Sequence, residues 1–160
     1  MNICYLQLGS NVGNRQEYLD KACKAFIEND HVITKRSSIY ETEPWGFESD
    51  AYFLNQVIEV ETDLNPNQLL AFCQRVELQN NRIRKTKRYA SRTLDIDILL
   101  FNHDVINSHT LTIPHKEMAN RRFVLEPLNE ISPGYQHPVL HKTINELWNK
   151  CSDFSVVKRV

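Results

Sequence analysis

The run Leu94-Asp95-Ile96-Asp97-Ile98-Leu99-Leu100-Phe101 sets two carboxylates into an otherwise apolar stretch of strand-forming residues. Side chains alternate across a strand, so Asp95 and Asp97 share one face while Ile96 and Ile98 take the other. A rise of ~3.3 Å per residue puts their Cα atoms roughly 7 Å apart. Two like charges on a partly buried face repel and lose hydration. A hard divalent cation offsets both costs, and magnesium favours one or two carboxylates completed by substrate phosphates. Two such ions about 3.5–4 Å apart would clamp an in-line displacement at phosphorus. The residues alone leave two other readings open: an edge strand with a solvated polar face, or aspartates paired with arginines.

Arg82, Arg84, Lys85, Lys87, Arg88 and Arg92 crowd the stretch just before this strand, with Tyr89 among them. Clustered cations repel unless anions visit, and guanidinium forks match phosphate oxygens in bidentate fashion. A basic segment running into a carboxylate pair points to phosphate, metal and carboxylate in contact. The bland alternative is a solvated helix end whose charges favour the C-terminal dipole. After Pro114, His115, Arg121 and Arg122 add possible phosphate contacts, and Phe123 a ring that stacks on a flat heterocycle. Asn55 could read the edge of a heterocycle or merely bridge strands. Gly9-Ser10-Asn11-Val12-Gly13-Asn14-Arg15 lacks the lysine and spacing of a phosphate-binding loop, so it reads as a turn and a helix cap.

The elements that must hold these residues are legible from periodicity. Ile3–Leu8 reads as a buried first strand. Apolar residues recur at helical spacing over 15–29, behind the cap residue Asn14. Val32–Tyr40 reads as strand two and the alternating Phe53–Thr62 as strand three. Asn65-Pro66 starts a second helix that runs to about Asn81, and Leu94–Phe101 is strand four. The order β-α-β-β-α-β is the ferredoxin-like one, an α+β antiparallel sheet with both helices on one face. Phe123–Leu128 and Ile144–Trp148 look like packing segments of a C-terminal extension, with Pro114, Pro127, Pro133 and Pro138 punctuating loops.

The 160 residues suggest a single domain spanning 1–160, long enough to bury a core unaided. A net charge of -1 argues against a general nucleic-acid or membrane binder. Cys4, Cys23, Cys73 and Cys151 form no C-x-x-C pair and read as buried reduced thiols, which fits a reducing cytosol. No stretch approaches the ~18 apolar residues of a membrane span. An RNA-recognition module shares the element order, but strand three lacks its aromatic signature. A nucleotidyltransferase also uses paired aspartates, but its compact glycine-serine-to-aspartate spacing is missing. A purely structural domain leaves the acidic pair unexplained.

Taken together, the residues resemble the 6-hydroxymethyl-7,8-dihydropterin pyrophosphokinase family of folate biosynthesis, from Leu8 to about Pro133. Arg88-Tyr89-Ala90-Ser91-Arg92-Thr93-Leu94-Asp95-Ile96-Asp97-Ile98-Leu99 fits the signature around that family's metal site. Gly9-Ser10-Asn11, Tyr40-Glu41-Thr42 with Pro44 and Gly46, Phe53-Leu54-Asn55, and Pro114-His115 with Arg121 and Phe123 follow in the family's order. The resemblance implies magnesium-dependent transfer of the pyrophosphoryl group of ATP to the pterin hydroxymethyl oxygen, with AMP leaving. It implies that Asp95 and Asp97 hold two magnesium ions. Thr42, Pro44, Phe53, Asn55 and Phe123 would form the pterin pocket. Gln74, Glu77, Arg84, Arg92, Ile98, Thr112, His115 and Arg121 would line the ATP site. Arg92, His115 and Arg84 would stabilise charge on the transferring group, with no general base named. Segments 43–52 and 82–91 would correspond to the family's mobile lids. The expected partners are the two small substrates, with neither nucleic acid nor membrane, and the expected state is a cytoplasmic monomer.

Departures from the family pattern bear on particular contacts. Tyr89 stands where tryptophan is usual, Ala90-Ser91 where Gly-Pro is common, and Asn81 where glycine is frequent. Phe53 lacks the hydroxyl of the tyrosine in some relatives. Thr110 and Lys116 replace an arginine and a tyrosine, which puts two nucleotide contacts in question.

Overall fold

A computed structural model describes residues 1–43, 52–80 and 93–160 of the chain. β1 (Asn2–Ser10) leads into α1 (Arg15–Glu28), followed by β2 (Val32–Arg36), β3 (Tyr40–Thr42) and β4 (Phe53–Thr62). α2 (Pro66–Gln79) and β5 (Asp95–Phe101) complete the ferredoxin-like portion. The C-terminal part adds the hairpin β6 (Ile106–Asn107) and β7 (Thr112–Ile113), a 3-10 turn at Met118–Asn120, α3 (Arg122–Ile131), α4 (Ile144–Lys150) and β8 (Val157–Arg159). Among the described residues no helix is long and apolar enough to cross a membrane.

The sheet order is β5-β1-β4-β3-β8, with β2 also paired to β4, and every pairing is antiparallel. Strand two thus differs from the expected continuous 32–40. It breaks at Ser37, and its two halves pair with opposite ends of β4. Ser37 carries the ladder across the break, its N–H donating to Val57 O and its Oγ accepting from Val57 N, both at 2.9 Å. Gln56 Nε2 donates to Ser37 O at 2.9 Å, so the interruption leaves these backbone groups satisfied. β1 also runs further than expected. Gly9 pairs with Asn55 and Ser10 with Leu54, so the first residues of the expected turn belong to the strand.

Alternation along the strands builds a core on each face of the sheet. Leu6, Leu8, Ile58, Val60 and Ile98 meet Leu19 and Phe26 of α1 and Leu69, Phe72 and Val76 of α2. Tyr5, Val57 and Leu99 meet Val124, Leu125 and Leu128 of α3 and Ile144 and Leu147 of α4. The C-terminal extension thus covers the second face of the sheet, and each fully buried Leu, Ile or Phe contributes about 1.5–3 kcal/mol. All four cysteines are buried and none is in a disulfide. Burial, aided by Glu59, pushes the Cys4 thiol up to about 12, so it stays neutral.

Helix ends follow local chemistry. Asn14 Oδ1 accepts from Glu17 N at 3.2 Å. Asn65 and Gln68 form a reciprocal capping box, both bonds at 2.9 Å, ahead of Pro66. α3 is different on two counts. Pro127, expected in a loop, lies inside it. Its N-cap residue Arg121 makes no side-chain cap bond. The cap comes instead from 31 residues downstream, where Asp153 Oδ2 accepts from Arg122 N at 2.9 Å.

Candidate active site

Three cross-strand rows on the α3 side of the sheet carry both aspartates and three residues of the expected pterin pocket. In the outermost, Thr42 of β3 faces Phe53 of β4. In the next, Tyr40, Asn55, Gly9 and Asp95 lie abreast on β3, β4, β1 and β5. In the third, Val57, Gln7 and Asp97 follow. Asp95 and Asp97 therefore share a face, as the alternation required, and both are partly exposed. Between Asn55 and Asp95 the floor is bare backbone. A Cβ placed on Gly9 would sit 3.4 Å from Asn55 Oδ1 and 3.8 Å from the Phe53 ring. The one position in the row without a side chain thus lies between a polar amide and a carboxylate.

Asn55 is buried and its Nδ2 donates to Thr42 Oγ1 at 2.8 Å. Gln7 Nε2 donates to Asn55 Oδ1 at 3.3 Å and to Phe123 O at 3.0 Å, which ties the first turn of α3 to the sheet. Thr42, Phe53, Asn55 and Phe123 are in this way gathered at one end of the sheet. Arg121 sits beside them, its guanidinium carbon 5.6 Å from the centre of the Phe123 ring. Arg15 of α1 donates to Tyr52 O at 2.8 Å and pairs with Glu41 at 2.9 Å, fixing β3 and the start of β4 from outside.

β5 is an edge strand, so a groove along it meets side chains from both of its faces. That groove encloses about 190 Å³ and is lined by Leu70, Ile96, Asp97, Ile98, Thr110, Leu111, Thr112, His115 and Lys116. Ile98, Thr112 and His115 are brought together there beside Asp97. Thr110 and Lys116, which replace an arginine and a tyrosine of the family pattern, line it as well. His115 N donates to Leu99 O at 2.9 Å, which holds the residue against β5. Its Nδ1 accepts from Glu117 N at 3.1 Å, so the neutral ring carries its proton on Nε2. Gln74 and Glu77 do not line this groove. Glu77 is buried behind it, with Oε2 accepting from Ile96 N at 3.0 Å, and so braces the strand between the two aspartates. Pro44, Arg84 and Arg92 lie outside the described residues, as do the basic run from Arg82 and most of the two expected lids.

Among the described residues no group of three or more His, Cys, Asp or Glu could hold a metal ion. The donor set is two aspartates on an open face, which suits magnesium completed by substrate phosphates rather than a full protein cage. Gln7 and Gly9 are site residues that sequence reasoning missed. The signal for Gln7 was present, because alternation places it on the face opposite Leu6 and Leu8, in the middle of a buried strand where an amide needs partners.

Residues 5–133 match the family model described as 7,8-dihydro-6-hydroxymethylpterin-pyrophosphokinase (HPPK). A 2-amino-4-hydroxy-6-hydroxymethyldihydropteridine pyrophosphokinase of Bacillus subtilis is 47% identical over 131 residues, covering 81% of this chain and 78% of the relative. The Haemophilus influenzae protein of the same name is 39% identical over 160 residues, covering 99% and 98%. Among solved structures, a Plasmodium falciparum HPPK-DHPS matches with a TM-score of 0.71 at 22% identity, over 94% of this chain. This chain spans 43% of the length of that one, and the likeness bears on the fold. Fold, motif order and sequence identity agree: the chain belongs to the 7,8-dihydro-6-hydroxymethylpterin-pyrophosphokinase family.

Proposed function

We propose that this protein transfers the pyrophosphoryl group of ATP to the hydroxymethyl oxygen of 6-hydroxymethyl-7,8-dihydropterin, releasing AMP, in folate biosynthesis. The observation that carries this reading is the row Asn55–Gly9–Asp95. It sets an amide suited to a heterocycle's edge, a bare floor and a carboxylate side by side, with the Asp97–His115 groove adjoining. Thr42, Phe53, Asn55 and Phe123, with Pro44, form the pterin pocket. The Asn55 amide reads the ring edge, and the Phe53 and Phe123 rings pack on its faces. Ile98, Thr112 and His115 line the nucleotide side, Arg121, Arg84 and Arg92 complete it, Gln74 reaches the nucleotide from outside that groove, and Glu77 acts from behind β5.

Asp95 and Asp97 would hold the two magnesium ions. When bound, such ions neutralise phosphate charge and lower the pKa of the acceptor hydroxyl. The chain's own work is positional and electrostatic. Gly9 lets the acceptor approach the carboxylates, and His115, Arg84 and Arg92 stabilise charge on the transferring group. The protein acts as a cytoplasmic monomer on two small substrates, folded as one unit over 1–160.

Incubation with ATP, magnesium and the dihydropterin should yield AMP and the pyrophosphorylated pterin. Pyrophosphate as the released product would instead indicate nucleotidyl transfer and sink the proposal. Asp97→Ala should lower kcat by about 10³-fold, the scale of losing one preorganised electrostatic element. Near-normal turnover of the folded variant would remove Asp97 from the site.

A further inference from the structure

Gln7 is 4% exposed, at the centre of a central strand. Position 127 is proline inside α3, so the helix has no N–H to offer the carbonyl of Phe123 four residues earlier. Gln7 Nε2 fills that vacancy at 3.0 Å. A flipped Gln7 amide would set oxygen against that carbonyl and against Asn55 Oδ1, two acceptors with nothing to receive. The Phe123 carbonyl thereby fixes the orientation of Gln7. Gln7 in turn fixes Asn55, whose Oδ1 faces Gln7 Nε2 while its Nδ2 donates to Thr42 Oγ1 at 2.8 Å. The threonine hydroxyl both donates and accepts, so it would serve either orientation of Asn55 and cannot choose between them. Among the described residues Gln7 Oε1 is buried with no hydrogen-bond partner, a cost to stability that an apolar side chain of the same size would not incur. The amide thus serves two acceptors, the Phe123 carbonyl and Asn55 Oδ1, while leaving its own oxygen unpaired among the described residues.

We propose that Gln7 is a positioning residue for substrate specificity: it locks the Asn55 amide in one orientation and so sets which atoms of that amide a bound heterocycle meets. This rests on the reading of Asn55 as the residue that recognises the pterin edge. Without Gln7, Asn55 would populate both orientations, and recognition of a donor–acceptor pattern would blur rather than vanish.

The test titrates wild type, Gln7→Leu, the near-isosteric Gln7→Met, Asn55→Ala and Gln7→Met/Asn55→Ala with 6-hydroxymethylpterin. A non-hydrolysable ATP analogue and magnesium are present, and circular dichroism checks each fold. The same series is titrated with the lumazine analogue, in which an oxygen replaces the exocyclic amine. Loss of one oriented hydrogen bond should weaken pterin binding by about 10-fold in Gln7→Met. The preference for pterin over lumazine should shrink with it, whereas general loosening of the pocket would weaken both ligands alike. In the Asn55→Ala background Gln7→Met should change affinity less than about 2-fold, because the two act as one unit. Unchanged affinity and preference in both folded Gln7 variants, or an undiminished effect without Asn55, overturns the role of Gln7. Wild-type pterin affinity in Asn55→Ala would instead overturn the reading of Asn55, and the Gln7 proposal with it.

Discussion

Gly9→Ala should separate stability from function in a direction that ordinary damage does not. Gly9 has no positive φ and pairs as a strand residue between Asn55 and Asp95, so alanine can adopt its backbone. The new methyl would meet Asn55 Oδ1 at 3.4 Å, the Phe53 ring at 3.8 Å and Leu54 O at 3.9 Å, all ordinary contact distances. Among the described residues nothing has to move. Removing glycine's freedom from the unfolded chain then stabilises by about 0.4–1 kcal/mol. The pterin fares oppositely, because the methyl occupies the floor it would lie on. Forcing an extra carbon into a fitted contact costs about 1–3 kcal/mol, or about 5- to 150-fold in affinity. Urea denaturation should show an unchanged or higher midpoint at constant m-value. Calorimetric titration with 6-hydroxymethylpterin and a non-hydrolysable ATP analogue should show the weakened binding. Pterin affinity within 2-fold of wild type in a folded variant would refute the floor. Parallel losses of stability and affinity would show that the methyl acts through packing.

Two further predictions concern the tail and its neighbours. Asp153 caps α3 through Arg122 N, and its carbonyl accepts from Arg122 Nε at 3.2 Å. Asp153→Ala should therefore cost about 1–2 kcal/mol, the scale of a lost cap. At about 2–4 °C per kcal/mol that is readable by calorimetry, and Asp153→Asn should restore most of it; an unchanged midpoint in Asp153→Ala would end the cap assignment. The Glu130 carboxyl is raised by burial but lowered more by donation from Tyr40 Oη at 2.6 Å and from Ser38 N and Oγ, with Arg159 adding charge, so its pKa falls below the usual 4.5. Its stabilisation is complete above pH 4.5 and is lost as pH falls through the depressed folded value. Wild type should exceed Glu130→Gln by about 1 kcal/mol at pH 7, with the gap closing only below pH 4.5; a gap independent of pH would show that charge plays no part.

The parts of this protein legible from sequence are those in which one segment determines its own structure. The 3.6-residue period of α1 and α2, their asparagine caps and the alternation of β4 fall within a residue or two of expectation. Local geometry alone gives Asp95 and Asp97 a common face. What escaped depends on partners distant in the chain. Strand two breaks because Ser37 substitutes its hydroxyl for a backbone group toward Val57, and nothing within 32–40 announces that. Pro127 reads locally as a loop residue. It is tolerated in α3 because Gln7, 120 positions earlier, serves the carbonyl it strands. Gly9 reads as a turn until Asn55 and Asp95 are known to flank it. The tail carries the same lesson furthest. Asp153 caps the helix that bears Phe123, and β8 pairs with β3, setting Val157 opposite Thr42. Both walls of the proposed pterin pocket are thus held by residues beyond 133, where the family match stops. A motif names the residues that meet the substrate; their placement is enforced from distant segments that supply a donor, a carboxylate or a strand edge in the right position.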